Sequence, residues 1–126
     1  MDYAIFQDHG YRGLYGGLSA KDIHARKGLK KSQKILDHMG STELAANLFR
    51  ATQAEEKLKR DNVSSKKQAN QTHLDVGRKV RQTIKELGGT MPEALPTPKQ
   101  SIKQLQSTKK KLEQKKTPSS KREKPR

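Results

Sequence analysis

The chain contains no cysteine and no tryptophan, and only two Phe and three Tyr in 126 residues. Without cysteine there are no disulfides and no thiolate metal ligands. Few aromatics mean few large residues with which to fill a core or stack nucleobases. Apolar residues of every kind are scarce. They make up 29 % of the chain, and the nine glycines raise that only to about 36 %, against about 45–50 % in an ordinary globular domain. A thin core is expected, close to the compositional border with disorder, with helical faces that await a partner. No run is apolar enough to cross a bilayer. The start, Met1-Asp-Tyr-Ala-Ile-Phe-Gln-Asp-His, has neither the basic region nor the apolar stretch of a secretory signal, so the chain reads as cytoplasmic.

Acidic residues are also in short supply. Twenty-eight Lys/Arg face thirteen Asp/Glu, a net charge of +15. Residues 106–126 hold nine of the cations and two Glu, so nearly half the excess lies in a sixth of the chain. Such a balance favours polyanionic partners: nucleic acid, an acidic protein face or an anionic surface.

Local signals point to an all-α, irregular domain with no strand alternation. Residues 1–18 form a Gly/Tyr-rich segment in which Gly10, Gly13, Gly16 and Gly17 argue for turns rather than a helix. Residues 19–105 carry the helices. Ser19-Ala-Lys-Asp22 has the spacing of a capping box and Gly28 is a stop, predicting a short helix over about 20–27. A second short helix is expected from Ser32 to Met39, closed by Gly40. A third, capped by Ser41 or Thr42, should run to Arg60, with Leu44, Ala45, Leu48, Phe49, Thr52, Glu55 and Leu58 along its inner stripe and Asp61-Asn62 ending it. A fourth opens at Ser64 or Ser65 and ends at Leu87, with Ala69, Val76, Val80, Ile84 and Leu87 on one face. Gly77 within it points to close packing of a neighbouring helix. Pro92, Pro96 and Pro98 make 90–98 extended or turning. A further helical turn is expected from Ser101 to Leu105, and residues 106–126 read as a disordered basic tail.

No motif carries catalysis. Gly16-Gly17 is not followed by Gly-Lys-Ser/Thr, so there is no phosphate-binding loop of that kind. His9, His24, His38 and His73 match no standard metal spacing. The protein is expected to be no enzyme, to need no cofactor or metal, and to take no small-molecule substrate and no membrane partner. Three basic groups are candidates for binding. Arg26, Lys27, Lys30, Lys31 and Lys34 place five permanent cations in nine residues, beside His24 and a turn permitted by Gly28. Arg78, Arg81 and Lys85 share one face of the fourth helix, with Lys79 nearby. Lys109, Lys110 and Lys111 open the tail, which has no aromatic to stack bases. Each group reads either as a phosphate or acidic-partner surface or as a merely solvated face. Tyr11 and Tyr15, beside Arg12, either stack exposed bases or cover the core. Arg50 and Gln53 beside Phe49 suit a polar network at the helix junction.

Several strings occur in order with characteristic spacing: Gly13-Leu-Tyr-Gly-Gly-Leu18, His24-Ala-Arg-Lys-Gly-Leu29, Leu36-Asp-His-Met-Gly-Ser-Thr-Glu-Leu-Ala-Ala-Asn-Leu-Phe-Arg50, Gly77-Arg-Lys-Val-Arg81 and Gly88-Gly-Thr-Met-Pro92. Over roughly the first five-sixths of its length the chain resembles the C-terminal region of the DNA-damage-inducible protein D (DinD) family of the bacterial SOS response. Members carry an N-terminal Bro-type domain ahead of this region, and Met1 falls just before the shared block, so the chain reads as a truncated member. The resemblance implies a non-enzymatic factor that modulates filaments of a RecA-type recombinase on single-stranded DNA. Bro-type domains also occur in phage antirepressors, which leaves open an accessory or oligomerisation module of a DNA-binding regulator, or a remnant without function.

Overall fold

The computed structural model describes residues 3–98. Four helices are present, α1 (Tyr3–Leu14), α2 (Ala20–Arg26), α3 (Ser41–Arg60) and α4 (Lys66–Glu86), with single 3-10 turns at Ile35–His38 and Pro92–Ala94. The domain is all-α, and no strand occurs among the described residues. The expected turn over 101–105 and the tail lie outside the described residues.

The glycine-rich start is the first correction. Residues 3–14 are helical, and only Gly16 and Gly17, at φ +66° and +105°, form the turn that ends α1. Gly13 lies where α1 crosses α4 at backbone contact, whereas the missing side chain of Gly10 leaves room for the Arg50 guanidinium of α3. A Cβ added to Gly13 would lie 2.3 Å from the Leu74 carbonyl oxygen, and one on Gly77 would lie 2.5 Å from the Gly10 carbonyl oxygen. Each glycine costs a helix about 1 kcal/mol relative to alanine. Here the dispersion contacts of two closely approaching backbones offset that cost. The pairing of α1 with α4 is the most extensive in the domain.

The capping signals mark α2 and α4 correctly. Ser19 Oγ accepts from the Asp22 N–H (3.1 Å) while Asp22 Oδ2 accepts from the Ser19 N–H (3.0 Å), and these bonds hold the Asp22 carboxyl below its ordinary value. Gly28 takes a left-handed φ of +67° after the end of α2. The Ala20 N–H donates to Asp8 Oδ1 at 2.7 Å, tying the start of α2 to α1. Ser65 caps α4 through the Gln68 N–H. Asn62, at φ +51°, reverses the chain after α3.

Three further expectations are corrected. The helix predicted over 32–39 shrinks to the 3-10 turn, because a tight turn precedes it. The Gln33 N–H donates to the Lys30 carbonyl (2.8 Å) and Gln33 Oε1 accepts from the Lys30 N–H (2.6 Å). Gly40, expected as a stop, is extended and occupies the cap position of α3, which begins at Ser41 with no side-chain cap.

The third concerns the inner face of α3. The buried residues are Glu43, Asn47, Arg50 and Ala54. Leu48 and Phe49 are 52 % and 56 % exposed, and Ala45, Thr52 and Glu55 also face out. The helix is turned so that a polar stripe lies inside. The apolar core is accordingly thin: Tyr11, Leu14, Tyr15, Ile23, Met39 and Val80 are buried together, bordered by partly buried residues such as Leu18, Ile35, Leu44 and Val76. On α4 the buried line is Ala69, His73, Gly77 and Val80, whereas Leu87 is 80 % exposed.

Gly77→Ala improves intrinsic helix propensity by about 1 kcal/mol but forces the two backbones apart, so a net loss of roughly 1–3 kcal/mol is expected. Urea denaturation of the two proteins measures it, and a raised midpoint for Gly77→Ala would rule out the close crossing.

Candidate functional site

The polar stripe of α3 meets side chains from every other part of the fold. Glu43 is 1 % exposed. Its Oε1 pairs with Lys27 Nζ at 2.8 Å, and its Oε2 accepts a hydrogen bond from the Tyr15 hydroxyl. Asn47 Nδ2 donates to the Tyr15 oxygen (2.9 Å) and to the Glu43 carbonyl (3.0 Å). Lys27 Nζ also reaches the His38 carbonyl (3.2 Å) and Thr97 Oγ1 (3.3 Å). One carboxylate thereby joins α1, α2, the α2–α3 connection, α3 and the segment after α4. Burial and the hydrogen bond to Glu43 both push the Tyr15 hydroxyl far above the usual tyrosine value.

Arg50, one turn on, is buried without a carboxylate among the described residues. Its guanidinium carbon stands 5.0 Å from the centroid of the Tyr11 ring, and Nη2 donates to Gln7 Oε1 at 3.0 Å. The face of the ring and the amide oxygen offset part of the cost of its burial, while Nε and Nη1 are buried with no hydrogen-bond acceptor among the described residues. Nearby, the buried His73 ring stacks on Phe6, with centroids 5.4 Å apart and planes 7° from parallel. Burial, reinforced by the Arg50 charge, pulls His73 below the ordinary histidine value.

These groups are sealed inside, so the surface carries whatever binds. Of the five cations of the first cluster, Lys27 is internal, with a side chain 6 % exposed. It cannot serve as a surface phosphate ligand, because its charge is neutralised by Glu43. Arg26 is exposed, with Nε donating to the Glu93 carbonyl at 3.1 Å. Lys30, Lys31 and Lys34 are exposed and form no ion pair among the described residues. His24 Nε2 bonds to the Gln33 carbonyl at 2.9 Å and pins the connection that carries them. Beside them runs an open groove of about 430 Å³ lined by Tyr11, His24, Lys31, Gln33, Lys34, Ile35, Leu36 and Asp37.

The helical face of Arg78, Arg81 and Lys85 is less uniform than its spacing suggests. Arg81 makes a bidentate pair with Glu93, both contacts 2.8 Å, and donates to the Leu14 carbonyl at 3.1 Å. The pair raises Arg81 and lowers Glu93 from their ordinary values. It fastens the segment around the buried Pro92 onto α4. Arg78, 3.9 Å from Asp75, and Lys85 are exposed. Arg78 and Arg81 line a second groove of about 570 Å³ between α1 and α4, with Arg12 paired to Asp8 in its wall. Lys109, Lys110 and Lys111 lie outside the described residues.

Tyr11 and Tyr15 are 7 % and 2 % exposed and belong to the core, so neither presents a free ring to a base. Arg50 enters a polar network as expected, whereas Gln53 is exposed. Among the described residues no three His, Asp or Glu side chains come together as metal ligands, and no helix is long and apolar enough to cross a membrane. The Glu43 network is the feature that sequence reasoning missed. Its one signal is the i, i+4, i+7 spacing of Glu43, Asn47 and Arg50.

Glu43→Leu should cost about 3–5 kcal/mol, since it strands a buried ammonium. The double change Lys27→Met with Glu43→Leu should recover part of that loss. Urea unfolding of the three proteins measures both, and a cost below about 1 kcal/mol for Glu43→Leu would show that Lys27 does not depend on it. A second expectation concerns pH. His73 has a lower proton affinity folded than unfolded, so its contribution is full above the unfolded value of about 6.5 and is lost progressively as pH falls from there through the lowered folded value. His73→Phe, which keeps the stack, should flatten the decline in urea midpoint between neutral and mildly acidic buffer. An unchanged decline would assign it to other groups.

The chain is 78 % identical over 114 residues to the DNA damage-inducible protein D of Escherichia coli strain K12, an alignment covering 90 % of this chain and 42 % of that relative. It therefore spans less than half the length of the curated relative that it matches. No solved structure matches it. The sequence pattern of the DinD C-terminal domain fits residues 1–105, which takes in α1 through α4 and the Pro92 turn, and the chain belongs to the DinD C-terminal domain family.

Proposed function

We propose that this domain is a non-enzymatic binding module of the DNA-damage response, acting in the cytoplasm to modulate RecA-type recombinase filaments on single-stranded DNA. The name of the E. coli relative supports the setting. The observation that carries the reading is the state of the α2–α3 connection. Lys30, Lys31 and Lys34 are exposed and without ion pairs among the described residues, on a segment that the Lys27–Glu43 pair and the His24–Gln33 bond hold in place. Cations carried on a backbone held at a defined place suit recognition of a protein face as well as of phosphates, because the segment that bears them is positioned before binding. The non-enzymatic reading is supported by the groups best suited to acid–base work: Glu43, Tyr15, Lys27 and His73 are enclosed, each in contact with other protein groups.

Wild-type chain and the Lys30→Glu/Lys31→Glu variant are compared in recombinase filament disassembly and strand exchange. The variant should be weakened roughly tenfold, as close charge pairs at interfaces are worth ~1.5 kcal/mol or more, with helix content unchanged. A wild-type chain without effect on filaments overturns the reading, and an equally active variant moves the interaction off this connection. Binding to single-stranded DNA should be steeply salt-dependent. Deleting residues 106–126 should reduce the slope of log affinity against log salt by about 0.7 for each phosphate that the tail neutralises.

A further inference from the structure

The groove beside the lysines has a property that phosphate binding does not require. Its lining includes Ile35, Leu36, which is 43 % exposed, and the largely covered Tyr11. The Arg50 guanidinium covers the Tyr11 ring at 5.0 Å, and the Tyr15 ring meets it edge-on at a centroid distance of 6.0 Å. That tyrosine therefore offers an apolar margin rather than a stacking face for a nucleobase. Lys31 and Lys34 stand in the wall with no ion pair among the described residues, Lys30 is next to them in the chain, and Asp37 is the single acid in the lining. A lining that combines apolar side chains with cations that form no ion pair suits an apolar side chain flanked by carboxylates.

We propose that this groove docks a short acidic segment of another protein through a leucine- or phenylalanine-type anchor, with Lys31 and Lys34 taking the flanking carboxylates. Charge complementarity selects this occupant. Residues 99–126 hold eleven Lys/Arg and two Glu, so the remainder of this chain would be repelled from the same lysines. A nucleic-acid strand would satisfy the lysines but leave Ile35 and Leu36 against a charged backbone. The inference rests on the reading of this lysine face as a partner-binding surface. It does not depend on the recombinase being that partner.

The probe is a short fluorescein-labelled peptide of aspartates around Leu and Phe. It is compared with its Asp→Asn and its Leu/Phe→Ser counterparts and with oligo-dT, by anisotropy on the full chain. The first peptide should bind roughly tenfold or more tighter than either altered peptide, a difference of one interaction's order in each case. Lys31→Glu/Lys34→Glu and, separately, Leu36→Ser should each weaken it severalfold. All three positions are exposed, and circular dichroism checks that both variants fold. Equal binding of the Leu/Phe and Ser peptides overturns the proposal. So does oligo-dT binding that displaces the peptide and is sensitive to the lysine variant but not to Leu36→Ser, which would make the face a phosphate surface. Self-association of the chain abolished by Leu36→Ser would assign the groove to a second copy and overturn it as well. Peptide binding together with inert behaviour towards recombinase filaments would leave the groove proposal standing and remove the filament reading. Filament activity abolished in Lys30→Glu/Lys31→Glu, without preference for the apolar acidic peptide, would do the reverse.

Discussion

Two helices meet where neither has a side chain to hold them apart. Gly13 on α1 faces Gly77 on α4, with the Gly10 carbonyl beside them, at a separation that no Cβ can enter, and the rest of the domain is arranged around that crossing. It sets the phase of α1, and the same phase buries Tyr11, Leu14 and Tyr15. It sets the phase of α4, so that His73 meets Phe6 and Val80 joins the core. With so few large apolar residues available, backbone proximity supplies packing density that side-chain bulk supplies in better-filled cores.

What remains for α3 is an interior already occupied by tyrosine hydroxyls, a lysine ammonium and an amide. It answers with Glu43, Asn47 and Arg50 rather than with leucines. A buried polar group without a partner is costly; Glu43 avoids that cost by serving Lys27 and Tyr15 together, whereas Arg50 keeps two buried nitrogens without an acceptor among the described residues. The outcome is a domain whose connections are positioned by polar contacts and whose apolar residues stand partly outside, at Leu36, Leu48, Phe49 and Leu87. The lysine-bearing connection inherits its fixed position from this arrangement, since Lys27 precedes it and His38 ends it.

Much of this was legible in the residues. Ser19 with Asp22, Gly28 and Ser65 mark helix ends by hydrogen bonds that involve only near neighbours, and such signals survive tertiary context. Gly77 announced a close neighbour because no local reason for a mid-helix glycine existed. Where the partner lies far along the chain, the reading failed. Gly10 and Gly13 look like turn residues until α3 and α4 are laid against them. The burial of Glu43 depends on Tyr15 and Lys27, so the apolar pattern of Leu44, Leu48 and Phe49 gave the wrong inner face. The site divides in the same way. The cationic character of residues 26–34 is plain from composition, but Arg26 and Lys27 are chemically alike, and only the phase of α2 sends one outward and the other into the core.

The crossing of α1 and α4 joins the two ends of the helical region, with α2 and α3 in the intervening chain. Such a pairing forms only after a long loop has closed, which makes it late and entropically expensive. During synthesis α1 leaves the ribosome before the surface it fits exists, and it has no backbone groove to lie in until Gly77 has emerged. The lysine connection is translated well before that moment and is tied through Lys27 and Glu43 to Tyr15, at the end of α1. A chain stopped ahead of α4 would therefore contain every residue of the proposed binding surface while α1, to which that surface is tied, lacked its principal partner.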